Sequence, residues 1–159
     1  MTKELSVKGI KSFVGNEGHG YNATLYADGK KVAFVIDDAS GGQTQFQYEG
    51  KTREERAANE KIVTDFIKAL PPQAIGADAP QWEKDLYPSG LREINLDIYI
   101  AGLVDNFEVA KRLKSLKKAY VLYRLNDCKE GEFYKTKHLN NPDSVKTRVL
   151  AAHPDAVFM

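Results

Sequence analysis

Apolar and polar residues alternate through the first fifty positions of the chain, which is the pattern of half-buried β-strands. Residues 21–26 alternate and contain aromatic and β-branched side chains. Residues 32–36 are apolar without interruption, which predicts an inner strand covered on both faces. Between them, Asp28 and Gly29 predict a hairpin, because a type I′ turn requires positive φ at both central residues. Further strands are predicted at residues 5–14 and 43–48.

A helical period replaces this alternation from residue 52. Thr52 and Glu55 have the spacing of a capping box, in which side chain and backbone satisfy each other's free donors. Apolar side chains then recur every four residues, at Ala58, Ile62, Phe66 and Leu70. Pro71 and Pro72 cannot continue a helix, so the pattern predicts one helix over residues 52–70.

Residues 71–90 form an unusually long connection with four prolines, two glycines and the only tryptophan, Trp82. Such a segment is either mobile or packed onto the domain by Trp82 and Tyr87, and packing is the favoured interpretation. The alternative is that Trp82 is a binding residue, because aromatic side chains dominate interface energetics and long loops are often functional.

The pattern of residues 91–118 is ambiguous at its start. Residues 94–100 alternate as in a strand, whereas the apolar spacing from 96 to 110 fits a helix. Length and a charged face favour one long helix, with a break near Gly102.

The rest of the chain predicts a hairpin and a short helix. Residues 120–125 and 133–138 are the paired strands, and Pro142 after Asn141 begins a helix that His153 and Pro154 end. The predicted fold is a single α+β domain over residues 1–159, with two or three helices on one face of an antiparallel sheet of four or five strands. Its parts are a β-rich region over 1–50, the helix at 52–70, the connection at 71–90, and the helix, hairpin and short helix of 91–159.

Composition places the chain among ordinary globular proteins, with 42% apolar and 28% charged residues. It contains no apolar run long enough for a membrane span and begins with charged residues, so neither membrane insertion nor secretion is expected. The single cysteine, Cys128, can form neither an internal disulfide nor a multi-cysteine zinc site, which indicates a reducing, cytoplasmic setting. No cofactor is predicted. The net charge of +1 argues against a dedicated non-specific nucleic-acid binder, although residues 105–148 are basic.

Several segments resemble small accessory proteins of tailed phages and other bacterial mobile elements. In the first half they include Gly-Tyr-Asn-Ala-Thr-Leu-Tyr at 20–26 and Ile-Asp-Asp-Ala-Ser-Gly-Gly at 36–42. In the second half they include Tyr-Val-Leu-Tyr-Arg-Leu at 120–125. The resemblance implies no settled activity and transfers no functional residue. It implies a bacterial host cell as the setting and interference with a host protein as the function.

The densest glycine cluster, residues 15–20, suggests two alternatives. A backbone that approaches a phosphate closely is one, but phosphate loops have a helix N-terminus behind them, and here a strand follows. A tight connection between strands is the favoured interpretation. Candidate binding residues in and near this loop are Glu17, Gly18, His19, Asp37 and Asp38.

The hairpin would bring His19 close to Asp37 and Asp38, which makes these three the weak catalytic candidates. A histidine–carboxylate cluster can hold a divalent cation and activate water, as in a small metal-dependent hydrolase or nuclease. The favoured alternative is that Asp37, Asp38 and Ser40 stabilise a turn through their short side chains, so no metal ligand is assigned.

A basic helix face is the other candidate surface, formed by Lys111, Arg112, Lys114, Lys117 and Lys118. Cations beside Tyr120 and Tyr123 could bind nucleic acid, because lysines bind phosphates and aromatic rings stack on bases. Ordinary solvated helix charge is favoured instead. With no serine nucleophile elbow, zinc-protease helix or Walker loop, we expect binding to a host or phage protein rather than catalysis, with nucleic-acid binding as an alternative.

Overall fold

The computed structural model describes residues 2–159. The sequence predicted one domain, and the structure groups the chain into two compact units, Met1–Asp105 and Asn106–Met159, here called unit 1 and unit 2. Each unit is described by itself.

Unit 1 is built on a four-stranded antiparallel sheet. Its strands are β1 (Leu5–Gly15), β2 (Gly18–Ala27), β3 (Lys30–Asp37) and β4 (Gln45–Tyr48), paired in chain order. The four predicted strands are therefore confirmed, and β3 is an inner strand between β2 and β4. Its predicted cover on both faces is incomplete, since Phe34 and Ile36 stay partly exposed while Val35 is fully buried.

The turn between β2 and β3 follows from its two central residues. Asp28 and Gly29 both have positive φ, 47° and 81°, as the sequence predicted for this hairpin. The Asp28 carboxylate also accepts hydrogen bonds from the backbone amides of Lys3 and Glu4 at 3.0 Å each. The turn residue thus fixes the start of β1 beside the end of β2.

One face of this sheet forms the hydrophobic core of unit 1. Leu25 pairs with Val7 on β1 and with Ala33 on β3, and side chains directly opposite one another project to the same face. Helices α1 (Arg53–Lys68) and α3 (Leu96–Leu116) add Val63 and Ile100, both fully buried, to this cluster. The predicted helix packing against the sheet therefore arises from two amphipathic stripes.

Helix α1 begins as the sequence predicted. Its N-cap is Thr52, whose hydroxyl accepts from the amide of Glu55 at 3.2 Å, while the Glu55 carboxylate accepts from the amide of Thr52 at 3.4 Å. The helix ends at Lys68, two residues before the predicted end, because Ala69 is its C-cap ahead of the two prolines.

The connection at 71–90 is structured. It contains β5 (Gln73–Ala74) and helix α2 (Gln81–Leu86), and β5 pairs antiparallel with β6 (Leu91–Arg92). The alternation over 94–100 is not a strand, since α3 begins at Leu96 and continues through Gly102 without a break. Asn95 starts this helix, because its side-chain oxygen accepts from the amide of Ile98 at 2.8 Å. The predicted break near Gly102 is therefore wrong.

Unit 2 contains the predicted hairpin and last helix. Strand β7 (Tyr120–Arg124) pairs with β8 (Tyr134–Lys137), and α4 (Pro142–Ala152) begins after the N-cap Asn141. The two-residue strand β9 (Val157–Phe158), which the sequence did not indicate, pairs with the other edge of β7. The core is small: Val121 and Tyr123 from β7 meet Val145 and Val149 from α4.

The α+β class is confirmed, with one correction to the arrangement of the strands. The structure has one four-stranded, one three-stranded and one two-stranded sheet among residues 2–159, so the hairpin of the second half does not extend the first sheet. Two helices, α1 and α3, pack on the four-stranded sheet, and α2 and α4 bring the number in the same residues to four. Within residues 2–159, no helix combines the length and the apolar character that a membrane span requires.

Candidate binding surfaces

The glycine cluster is the tight turn between β1 and β2. Gly15 pairs with Gly18, and the amide of Glu17 donates to the carbonyl of Ala39 at 2.9 Å, so the turn packs against the loop that follows β3. A Cβ at Gly20 would lie 2.5 Å from the carbonyl oxygen of Asp37, so glycine is required there for close backbone approach. This geometry agrees with the favoured interpretation of a tight connection.

The surroundings of this turn are negatively charged, which disfavours a phosphate. Burial raises the pKa of Asp97, and the charge of Asp37 raises it further. Burial likewise raises the pKa of Tyr21, with added contributions from Asp37, Asp97 and Asp105. Carboxylates close enough to perturb each other's titration would repel an anion at the same end of the sheet.

Asp37 and Asp38 stabilise the turn after β3. The Asp37 carboxylate accepts from the amide of Ala39 at 3.0 Å, and the Asp38 carboxylate accepts from the amide and hydroxyl of Ser40 at 3.1 and 2.6 Å. These two bonds from Ser40 lower the pKa of Asp38. His19 is exposed on β2, opposite Val14. No group of three or more His, Cys, Asp or Glu side chains within residues 2–159 is placed to hold a metal ion, and the hydrolase or nuclease alternative stays a prediction that no arrangement favours.

The five basic candidates do not form one face. All five are exposed, but only Lys111, Arg112 and Lys114 lie within α3, whereas Lys117 and Lys118 follow its end. Arg112 faces a groove with Leu116 and Tyr134. Lys117 and Lys118 instead line a different depression, so the set separates into parts with different neighbours.

That depression, here called the basic cavity, is lined by three lysines and one histidine of unit 2 and, among residues 2–159, by no Asp or Glu side chain. Its volume is about 380 Å³. It lies beside residues 120–122 of β7, next to the point where β9 pairs with Tyr123 and Arg124 and the amide of Met159 donates to the carbonyl of Leu122. The side chains that decide its character are Lys117, Lys118, Tyr120, His138, Lys146 and Phe158.

Trp82 is exposed, which contradicts the interpretation that it packs the long connection down. Its side chain is 66% exposed, and Leu86, one helical turn further along α2, is 62% exposed. We call these two residues the apolar anchor. They share one side of α2 because residues four apart in a helix are neighbours.

Polar contacts, not Trp82, hold α2 in place. Arg92 on β6 forms an ion pair with Glu83 at 3.2 Å and donates to the Gln73 side chain at 2.9 Å. The Lys84 ammonium donates to the carbonyl of Ala77 at 2.8 Å. Glu83 and Arg92 are largely shielded from solvent, so α2 is fastened by its polar side while its apolar side faces outward.

Sequence reasoning found Trp82 but missed its partner and half of the basic cavity. Leu86 carried a detectable signal, the four-residue spacing from Trp82. Lys146 and Phe158 carried none, because they reach Lys117 only through the packing of α4 and the pairing of β9.

The fold defines an α+β protein with two candidate binding surfaces, one apolar and one basic. Comparison with protein families, with curated proteins and with solved structures finds no match to the chain.

Proposed function

We propose that the protein is a non-catalytic binding protein that recognises another protein through the apolar anchor, Trp82 and Leu86. The observation that carries this proposal is the outward orientation of both side chains on a helix that is otherwise fastened down. Large apolar side chains that are exposed side by side, rather than singly, are typical of interaction sites.

The chemistry of the anchor supports a protein partner. Tryptophan is among the residues most enriched at interface hot spots, where it fills a pocket on the partner. The contacts of Arg92 and Lys84 hold α2 before any partner arrives, which reduces the ordering cost of association. A preformed anchor of this kind fits recognition by insertion into an apolar pocket.

The charge near the apolar anchor indicates which side chains would surround the partner's pocket. Asp78, Asp85 and Glu93 are all exposed, and the basic side chains of this segment, Lys84 and Arg92, are already engaged. A partner pocket bordered by basic side chains would complement this acidic surface. The resemblance to phage and mobile-element accessory proteins supports a host protein as that partner, in the cytoplasm of a bacterial cell.

A pull-down from nuclease-treated bacterial lysate tests the proposal. The wild-type chain should retain one stoichiometric protein, and Trp82→Ala with Leu86→Ala should lose it. The matched control is Val14→Ala with Val109→Ala, which removes two other highly exposed apolar side chains. Retention of the partner by the anchor variant, or its equal loss from the control, would overturn the proposal.

The single tryptophan supplies a second measurement. On titration with the purified partner, the emission of Trp82 should shift to shorter wavelength and become protected from a water-soluble quencher, because the exposed indole enters an apolar pocket. An unchanged spectrum at saturation would mean that the partner binds elsewhere. If the shift depends on protein concentration alone, with no partner added, the anchor is a self-association surface and the proposal fails.

A further inference from the structure

We infer that the basic cavity of unit 2 binds the phosphate backbone of single-stranded nucleic acid. This inference is independent of the apolar anchor, which lies in unit 1. It rests on the charge of unit 2, on two aromatic rings that carry lysine ammonium groups, and on the construction of the cavity wall.

The charge of unit 2 is strongly positive. Residues 106–159 contain eleven Lys or Arg against six Asp or Glu, a net charge of +5, whereas residues 1–105 carry −4. Lys117 and Lys118, in the turn after α3, and Lys146, in α4, line the cavity. Lys146 forms an ion pair with Asp143 at 3.8 Å, and the Asp143 side chain is almost fully exposed. Such a pair is weak, so it would not prevent Lys146 from binding a phosphate.

Two aromatic rings, Tyr120 and Phe158, line the cavity. The Lys146 ammonium lies 6.0 Å from the centre of the Phe158 ring, and the ammonium of Lys135, which lines the groove that contains Arg112, lies 5.0 Å from the centre of the Tyr120 ring. A phosphate in the cavity that attracts Lys146 would uncover the Phe158 ring face for a base. Base stacking on aromatic side chains tolerates any sequence and is typical of single-strand binding.

The wall beside Lys117 is preorganised by His138. Its Nδ1 accepts from the amide of Asn140 at 3.1 Å, which leaves the proton on Nε2, 3.4 Å from the carbonyl of Lys117. The backbone amide of His138 also donates to the carbonyl of Ala119 at 3.1 Å. The next two residues, Leu139 and Asn140, both have positive φ, 43° and 65°. Consecutive left-handed residues without glycine are costly, and such strain is common at binding sites.

The cations of the cavity suit a phosphate. They are lysines, whose ammonium groups act as point charges that bind phosphates well. The test below includes an acidic peptide because lysines also attract carboxylates. A flexible single strand can also enter a cavity of about 380 Å³ more readily than a rigid duplex can.

Fluorescence anisotropy with labelled oligothymidylate at low salt tests the inference. Lys117→Ala, Lys118→Ala and Lys146→Ala together should weaken binding by at least about tenfold. Each phosphate contact that is lost reduces the number of counterions released on binding, and that release drives association. The charge-matched control combines Lys111→Ala, Lys114→Ala and Lys129→Ala, which are exposed lysines outside the cavity. The control should weaken binding by less than about threefold, because distant charges act only through a screened field.

The aromatic part of the inference has its own variant pair. Tyr120→Phe keeps the ring and should bind like the wild type, whereas Tyr120→Leu should lose affinity even though both variants lack the hydroxyl. Unchanged circular dichroism of each variant ensures that loss of binding is not loss of fold.

Several results would overturn the inference. Equal weakening by the two lysine triples would show diffuse attraction rather than a site, and so would Tyr120→Leu that binds like Tyr120→Phe. Tighter binding of a poly-glutamate peptide of equal charge would indicate an acidic protein as the ligand. Absence of binding by the wild-type chain at low salt would also refute it. None of these outcomes bears on the proposal for Trp82, because the pull-down that tests it uses lysate from which nuclease has removed nucleic acid.

Discussion

The two units of this chain differ in how much apolar surface holds them together. Unit 1 packs a four-stranded sheet against α1 and the first part of α3, with Leu25, Val35 and Ile100 fully buried. Unit 2 has only four buried residues in its core cluster, together with three partly buried apolar neighbours. Domains of fewer than about 60 residues bury a smaller fraction of their surface and are correspondingly marginal. We expect unit 2 to be the less stable of the two.

The same two units differ in the sign of their charge and in the residues they present to solvent. Unit 1 is acidic and presents the apolar anchor, whereas unit 2 is basic and presents lysines beside aromatic rings. The small net charge of the whole chain conceals both properties. A near-neutral total is therefore no argument against a charged binding site when the charges are divided between units.

The largest expected effect comes from the core of unit 1. Leu25→Ala should lower the free energy of unfolding of unit 1 by about 3 kcal/mol, because the side chain is fully buried at the centre of the sheet. Denaturant unfolding followed by hydrogen exchange of peptides from each unit would measure it. Exchange that accelerates equally in residues 119–159 would contradict the division into two units.

The corresponding change in unit 2 is Val149→Ala, which should cost about 2 kcal/mol through lost apolar burial and a residual cavity. The loss is smaller in energy but larger relative to the stability expected of unit 2. Hydrogen exchange should therefore reach the fully unfolded rate in β7 and α4 while β2 and β3 remain protected. Protection of α4 equal to the wild type would show that another contact stabilises it. Leu150→Ala on the exposed side of the same helix is the control.

Helix caps allow a comparison in which local chemistry is similar. Thr52→Ala removes the capping box of α1, and Asn141→Ala removes the bond from the amide of Ser144 to the Asn141 side chain at 3.1 Å. Each should cost about 1 kcal/mol. The Thr52 effect should be confined to peptides of unit 1 and the Asn141 effect to peptides of unit 2. Thermal melts of Thr52→Ser, which keeps the hydroxyl, should match the wild type, and a melt as low as that of Thr52→Ala would refute the assigned cap.

Local signals account for the part of the fold that the sequence predicted. The Asp28-Gly29 turn, the Thr52 capping box and the Asn141-Pro142 start of α4 each involve residues a few positions apart. The turn fixes the pairing of Ala27 with Lys30 and of Tyr26 with Lys31, and a one-residue shift of register then precedes the pairing of Leu25 with Ala33. Strands β1 to β4 and helices α1 and α4 were accessible for this reason.

Longer-range pairing accounts for what the sequence did not predict. β5 and β6 consist of two residues each and pair across the long connection, and β9 is too short to have a pattern of its own. The ion pair between Arg92 and Glu83, which are nine residues apart, holds α2 in place without the Trp82 ring. Since the polar contacts replaced the expected aromatic packing, composition alone could not show that the ring faces outward.

The smallest expected effect concerns the tyrosines, whose pKa values are raised by different causes in the two units. In unit 1, burial is the largest cause of the raised pKa of Tyr21, Tyr48 and Tyr99, whereas in unit 2 the charge of Asp127 is the largest cause for Tyr134. Because the pKa of each of these tyrosines is raised on folding, its side chain stays neutral in the folded chain at pH values just above 10.0, the pKa of a tyrosine in the unfolded chain. Their contribution to stability is therefore complete below pH 10.0 and is lost as the pH rises through the folded-state pKa.

Phenolate absorbance in Tyr48→Phe and Tyr134→Phe variants measures this difference at low and high salt. High salt should bring the pKa of Tyr134 back toward its usual range, because salt screens the charges of Asp127 and Glu132 around an exposed ring. It should leave Tyr48 raised, because burial rather than charge is the main cause there. Tyr48→Phe should also reduce the loss of unit 1 stability above pH 10.0, an effect absent at neutral pH. A pKa of Tyr48 as sensitive to salt as that of Tyr134 would mean that charge, not burial, governs both units.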